Sequence, residues 1–167
     1  MKTIIKLILL LSLSIIIGCE KLDYNNPNVQ EYINQLKNGS PEAFTFPEFT
    51  TSDISALLVY RNDTTDIYGF PSNPISSYAM TKCKLGMVIL WNIESIRVCQ
   101  NGNNPYIGRF PSQNPILALR DDPSIWFFDT KSQFEAADAY YDWWMSISLF
   151  IDKMKRNPLA KTKYIWH

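Results

Sequence analysis

Apolar residues recur at helical spacing in several parts of the chain. Val29, Tyr32, Ile33 and Leu36 fall at i, i+3, i+4 and i+7, with Asn38-Gly39 behind them as a stop. This predicts a helix over about 29–37, with Asn28 as its cap and Glu31 as a capping-box acid. Ser40-Pro41-Glu42-Ala43 starts a single turn, which Phe46-Pro47 breaks. Ile54, Leu57 and Leu58 give one face of a second helix, about 52–61, capped by Thr50 or Thr51. The segment 77–100 is apolar on nearly every side, through Leu85, Val88, Ile89, Leu90, Trp91, Ile93 and Ile96, and so reads as a central buried helix. Its β-branched run also suits a strand, but its length favours a helix, with a kink or break near Lys82, Lys84 and Gly86.

After the turn cluster Asn101-Gly102-Asn103-Asn104-Pro105 come a short segment, Ile116 to Arg120, and a one-turn helix holding Ile125, Trp126, Phe127 and Phe128. Thr130-Lys131-Ser132-Gln133 has the form of a capping box and opens a last long helix, about 131–156. Its stripe is Ala137, Tyr140, Trp144, Ile147, Ile151 and Met154, and Asn157-Pro158 stops it. Strand-type alternation with hairpin turns is absent. The expected fold class is all-α, a small array of antiparallel helices over residues 29–158, with a tail of open conformation at 159–167.

One phrase is written twice, FPSNPI at Phe70–Ile75 and FPSQNPI at Phe110–Ile116. In each copy the Asn suits an N-cap and the Pro a first helical residue, so Asn73 and Asn114 should cap, Pro74 and Pro115 should sit in first turns, and Phe70 and Phe110 should be buried. The spacing near forty fits a degenerate two-unit repeat of HEAT-like helical hairpins, and recurring cap chemistry explains it as well. If the two loops share one end of the array, Tyr68, Tyr106, Arg109 and Gln113 form a candidate binding edge.

The first residues add an address. Lys2 and Lys6 flank an apolar run that ends Ile16-Ile17-Gly18-Cys19, shorter than the ~20 residues that span a bilayer. This ending resembles the lipobox of bacterial lipoproteins. The resemblance implies a signal peptide over 1–18, cleavage before Cys19, and lipid attached to that thiol, with palmitate-like acyl chains as the membrane anchor. Residues 19–28 then form the lipidated cysteine and a tether, whose Glu20, Lys21 and Asp23 loosely resemble the export tags of surface lipoproteins. The expected location is the cell envelope, at the outer membrane, with surface exposure open.

Charge narrows the partners. The chain has 16 basic and 16 acidic residues, and taking away Lys2 and Lys6 with the leader leaves 14 against 16, which offers no footprint for nucleic acid. The only histidine, His167, stands at the last position and is expected to be mobile, which removes histidine-dependent triads and metal sites from consideration. No cofactor and no metal ligand set is expected. Paired carboxylates remain, at Asp121-Asp122, at Asp138 with Asp142, and at Glu94, whose plainer role is an ion pair with Arg97 three residues on. Cys83 and Cys99 are expected to be reduced and largely buried, since sixteen residues of continuous helix would hold them roughly 24 Å apart. Trp143 and Trp126 are candidate sugar-stacking faces, with core packing as the plainer role for Trp143.

The lipobox, the chain length and the phrases YRNDTTDIYGFPSNPIS (60–76) and GRFPSQNPILAL (108–119) together resemble an uncharacterised family of small lipoproteins from the Bacteroidales. That resemblance implies a lipid-anchored helical domain and transfers no catalytic residue. The function expected is a non-enzymatic module that binds a protein partner in the envelope. The alternative is a glycan-binding accessory lipoprotein that uses exposed aromatics.

Overall fold

In a computed structural model of the chain, which describes residues 21–45, 47–71, 81–100, 114–146 and 150–167, helices pack beside two small antiparallel sheets. The leader, Cys19, and most of both FPS phrases lie outside the described residues.

Helix α1, Pro27–Asn38, starts two residues earlier than its periodicity suggests. Pro27 suits the first helical position, where no N–H is needed, so the cap moves from Asn28 to Asn26, whose Oδ1 accepts from Val29 N at 3.1 Å. Gly39, at φ +64°, turns the chain out of the helix in the left-handed region that glycine tolerates. A 3₁₀ turn at Pro41–Phe44 follows as expected. The second helical segment is broken into a 3₁₀ turn at Thr51–Asp53, one α-turn, α2, at Ile54–Leu57, and another 3₁₀ turn at Leu58–Tyr60.

The expected all-α class is overturned by five short strands among the described residues. Strand β1, Asp66–Ile67, pairs antiparallel with β2, Cys83–Lys84, in the register Asp66↔Lys84 and Ile67↔Cys83. The central helix α3, Leu85–Gln100, therefore begins eight residues later than the apolar run suggests, at the break foreseen around Lys84 and Gly86. Strand β3, Leu117–Leu119, is the middle strand of the second sheet, between β4, Trp126–Phe127, and β5, Tyr164–Trp166. The expected one-turn helix over 125–128 is replaced by β4 at Trp126–Phe127, and the expected open tail is a 3₁₀ turn at Pro158–Lys161 followed by β5. The fold is mixed α and β.

The second FPS phrase opens β3 and not a helix. Asn114 does not cap a helix: its N–H donates to His167 O at 3.2 Å and its side chain faces His167 Nδ1 at 3.3 Å. Pro115 O accepts from Cys83 Sγ at 3.6 Å, which ties the start of β3 to β2. A helix start is lost at this copy, and with it the helical-hairpin repeat. Phe70 is buried as expected. Phe110, Asn73 and Pro74 lie outside the described residues. His167 is fixed between Asn114, Ile116 O, to which its N–H donates, and the Trp126 ring at 4.7 Å, in contrast to the mobility expected of it.

The last long helix divides into α4, Thr130–Met145, and α5, Phe150–Lys155, because Ser146 takes an extended ψ of 134°. Asp129 caps α4 by accepting from Ser132 N at 2.9 Å, which frees Gln133 for a tertiary role. Its carboxamide donates to Arg61 O at 3.2 Å and Asp63 O at 3.1 Å. Gly86 N–H also donates to Asp63 O, and a methyl group on Gly86 would overlap both Arg61 O and Gln133 Nε2. The phrase around Tyr60–Asp63 is thus a junction where α3 and α4 begin. Lys37, 2.8 Å from Asp63, and Arg61, stacked over Tyr141 at 4.4 Å, hold it from either side.

The core lies around α3. Leu85, Val88, Ile89, Leu90, Trp91 and Ile93 are fully buried, and Asn92 ties α3 to α1 by donating to the Tyr32 hydroxyl at 3.1 Å. Apolar residues on nearly every side of α3 follow from this enclosure, and its polar residues Asn92, Glu94, Ser95 and Arg97 are buried with them.

Candidate functional site

Helix α4 buries Ala136, Ala137, Tyr140 and Trp144 and turns Glu135, Asp138 and Asp142 outward. Spacings of three and four residues place these three carboxylates on one side of the helix. Against this side runs the segment from Arg156 to Thr162. Asn157 caps its 3₁₀ turn by accepting from Leu159 N at 2.9 Å, Pro158 occupies the first position, and Leu159 is buried as the anchor. Arg120 fixes the segment from below, with Nη2 donating to Leu159 O at 2.7 Å and to Tyr164 O at 2.9 Å.

Between helix and segment lies a groove of about 620 Å³, within the usual range for ligand sites. Ala139, Pro158 and Ala160 leave room in it, and Trp143 closes it with a ring that is almost fully covered. One wall is acidic, with Asp138 and Asp142, and the other is basic, with Arg156 and Lys161. Among the described residues none of these four side chains makes an ion pair or hydrogen bond. The opposed charges share a groove without meeting. Glu135 is engaged, accepting from the Tyr164 hydroxyl at 2.6 Å and lying 3.9 Å from Lys131.

Behind the groove a buried polar chain crosses the fold. Trp166 Nε1 donates to the Tyr140 hydroxyl at 2.8 Å, and that hydroxyl donates to Glu94 Oε2 at 2.7 Å. Arg97 grips both Glu94 oxygens, at 2.8 and 2.5 Å, and passes Nη1 to Met154 O at 3.0 Å. The Glu94–Arg97 pair read from the sequence is present, and among the described residues no second carboxylate bonds with it. Burial pushes the Tyr140 hydroxyl well above its ordinary value, and the charge of Glu94 adds to this. For Arg97, burial works downward and the Glu94 contacts outweigh it, so the guanidinium is held more firmly charged.

Of the residues named from sequence, Tyr68, Trp126 and Trp143 are described, and each has different surroundings. Tyr68 is exposed on the turn after β1, away from the groove lining. Trp126 is half-buried, its ring tilted against that of His167, with Nε1 donating to Pro123 O at 3.0 Å. Trp143 is enclosed and donates Nε1 to Lys153 O at 2.8 Å, which takes its face away from any sugar. Tyr106, Arg109, Gln113 and Cys19 lie outside the described residues. Neither Cys83 nor Cys99 is in a disulfide, as expected, but only Cys83 is buried, and Cys99 is exposed, contrary to expectation. The sequence offers Asp138 and Asp142 as paired carboxylates, and Asp142 also as a neighbour of a sugar-stacking Trp143. Sequence reading missed Arg156 and Lys161 as their counterparts, although the Asn157-Pro158 turn that presents them was visible. Among the described residues no cluster of three or more His, Cys, Asp or Glu is arranged to hold a metal ion.

A family described as a domain of unknown function, DUF4943, matches residues 23–167. No curated protein and no solved structure matches the chain.

Proposed function

The chain belongs to the DUF4943 family, whose domain has no assigned function, and from that footing we propose that it is a lipid-anchored component of the bacterial cell envelope that binds a protein partner and carries out no catalysis. Cys19 bears the lipid and holds the domain at the outer membrane, on the side chemistry of the leader described above. Among the described residues no helix is long and apolar enough to cross a membrane. The observation that carries the binding reading is the groove between α4 and the 3₁₀ turn, with its small-residue floor and its charged walls. Loop-borne clefts on a rigid frame are where recognition concentrates.

The test uses cells that express the full chain with a photo-crosslinking side chain at Thr162, on the rim of the groove. Native protein should crosslink to one reproducible protein. Ala160→Trp, which fills the groove from an exposed position, should abolish that product at unchanged protein level. A product that survives Ala160→Trp, or no product in either case, overturns the reading. Cys19→Ser should release the protein from the membrane fraction and abolish incorporation of labelled palmitate.

A further inference from the structure

The groove's two walls carry opposite charge, and this limits what can fill it. Asp138 and Asp142 stand on one side, Arg156 and Lys161 on the other, and no ion pair joins the sides among the described residues, so they are separated by more than 4.0 Å. An uncharged sugar would cover these groups and satisfy none of their charge. A polyanion would meet the basic wall and be repelled by α4, and a lone cation would leave Arg156 and Lys161 unanswered. Each of these occupants lowers the solvation of charges that it does not pair. An occupant with both signs pairs every one.

The floor separates an amphoteric peptide from a zwitterionic lipid headgroup. A headgroup site needs apolar residues around it to enter the acyl layer. The large exposed apolar residues Tyr24, Phe44, Tyr68, Ile125, Phe128 and Phe134 are all absent from the groove lining. Beside the covered Trp143 ring, the uncharged lining is mostly small, with Ala139, Ser146, Pro158 and Ala160, which leaves room for an extended main chain. Asn157 stands at the basic wall with its amide nitrogen making no hydrogen bond among the described residues, a donor suited to a peptide carbonyl.

We infer that the groove recognises an extended peptide segment of the partner that carries a basic and an acidic side chain close together, the basic one set against Asp138 and Asp142 and the acidic one against Arg156 and Lys161. This rests on the binding role proposed above and specifies its ligand. Charge on both sides fixes the direction of the segment, since reversal would place like charges in contact.

The experiment is a display selection of random linear peptides on the full chain in detergent, followed by affinity measurement of the enriched peptides. Selection on the native chain should enrich peptides with both signs. Asp138→Asn with Asp142→Asn should erase the preference for the basic residue, and Arg156→Gln with Lys161→Gln that for the acidic one. Each double variant should weaken binding of a native-selected peptide roughly tenfold. All four positions are exposed, so melting curves of the variants should match the native one. Enrichment of uncharged or single-sign peptides, enrichment indifferent to both variants, no enrichment, or charge-dependent binding to phosphatidylethanolamine vesicles in place of peptides overturns the inference. A failed selection beside a crosslink still lost in Ala160→Trp leaves the partner docking through a folded surface, which separates the two failures.

Discussion

The hydroxyl of Tyr140 sits 2.7 Å from Glu94 Oε2 in a position where Trp166 Nε1 reaches it from the other side. One atom therefore joins α3, α4 and β5. Because Arg97 holds the same carboxylate, removal of a single member leaves a buried polar or charged group without its partner. Tyr140→Phe should cost about 1–3 kcal/mol, through unpaired Trp166 and a weakened Glu94. Glu94→Ala should cost about 3–5 kcal/mol, because Arg97 would remain charged in the interior, and Glu94→Leu combined with Arg97→Met should recover much of that loss. Urea unfolding measures all three. A double variant no more stable than Glu94→Ala would show that the pair is not the cause.

Gly86 presses against the junction at the start of α3. Gly86→Ala raises helix propensity, yet its methyl would overlap Arg61 O and Gln133 Nε2, so the packing cost should win by about 1–3 kcal/mol. Removing Gln133's amide with Gln133→Leu should make the alanine at 86 less costly. Additive effects in the double-mutant cycle would refute the shared clash.

The two thiols should behave differently. Burial pushes the Cys83 thiol up to about 12, so it is neutral and enclosed at physiological pH. Iodoacetamide should modify Cys99 in the native protein and reach Cys83 only after denaturation, as read from peptide masses. Equal labelling of both in the native state would count against the β1–β2 placement.

Burial lowers His167 below its ordinary value, among the uncharged neighbours Asn114 and Trp126. The unfolded chain therefore takes up the proton first as pH falls, and stability should decline from about pH 6.5 downward through the folded value. Above that window the contribution is constant. His167→Gln should flatten the melting temperature over pH 5.5–7 relative to the native chain. An unchanged slope would place the titration elsewhere.

How far the sequence foretold this fold depends on how local each signal is. Helix α1 was legible because four apolar residues and a Gly stop lie within twelve positions, and only its cap moved. The Glu94–Arg97 pair was legible because three residues of helix bring the two side chains together. The strands were not, because two or three residues cannot display a period, and β3 becomes a middle strand only through β5, which lies more than forty positions away. The groove was hidden for the same reason. Its acidic wall is a helix face, but its basic wall becomes a wall only once Arg120 has drawn the segment 158–164 back onto α4. The expectation of an all-α chain came from reading an absent period as an absent sheet.

The placement of β3 between β4 and β5 also has a temporal consequence. During synthesis Leu117–Leu119 emerges long before Tyr164–Trp166, and for that whole interval the middle strand has only one neighbour. Tyr140 likewise waits for Trp166. The nascent chain can collapse around α3, but it cannot close its second sheet or build the basic wall of the groove until those last strand residues arrive. Order of appearance and order of assembly diverge, and the second sheet closes in a single late event.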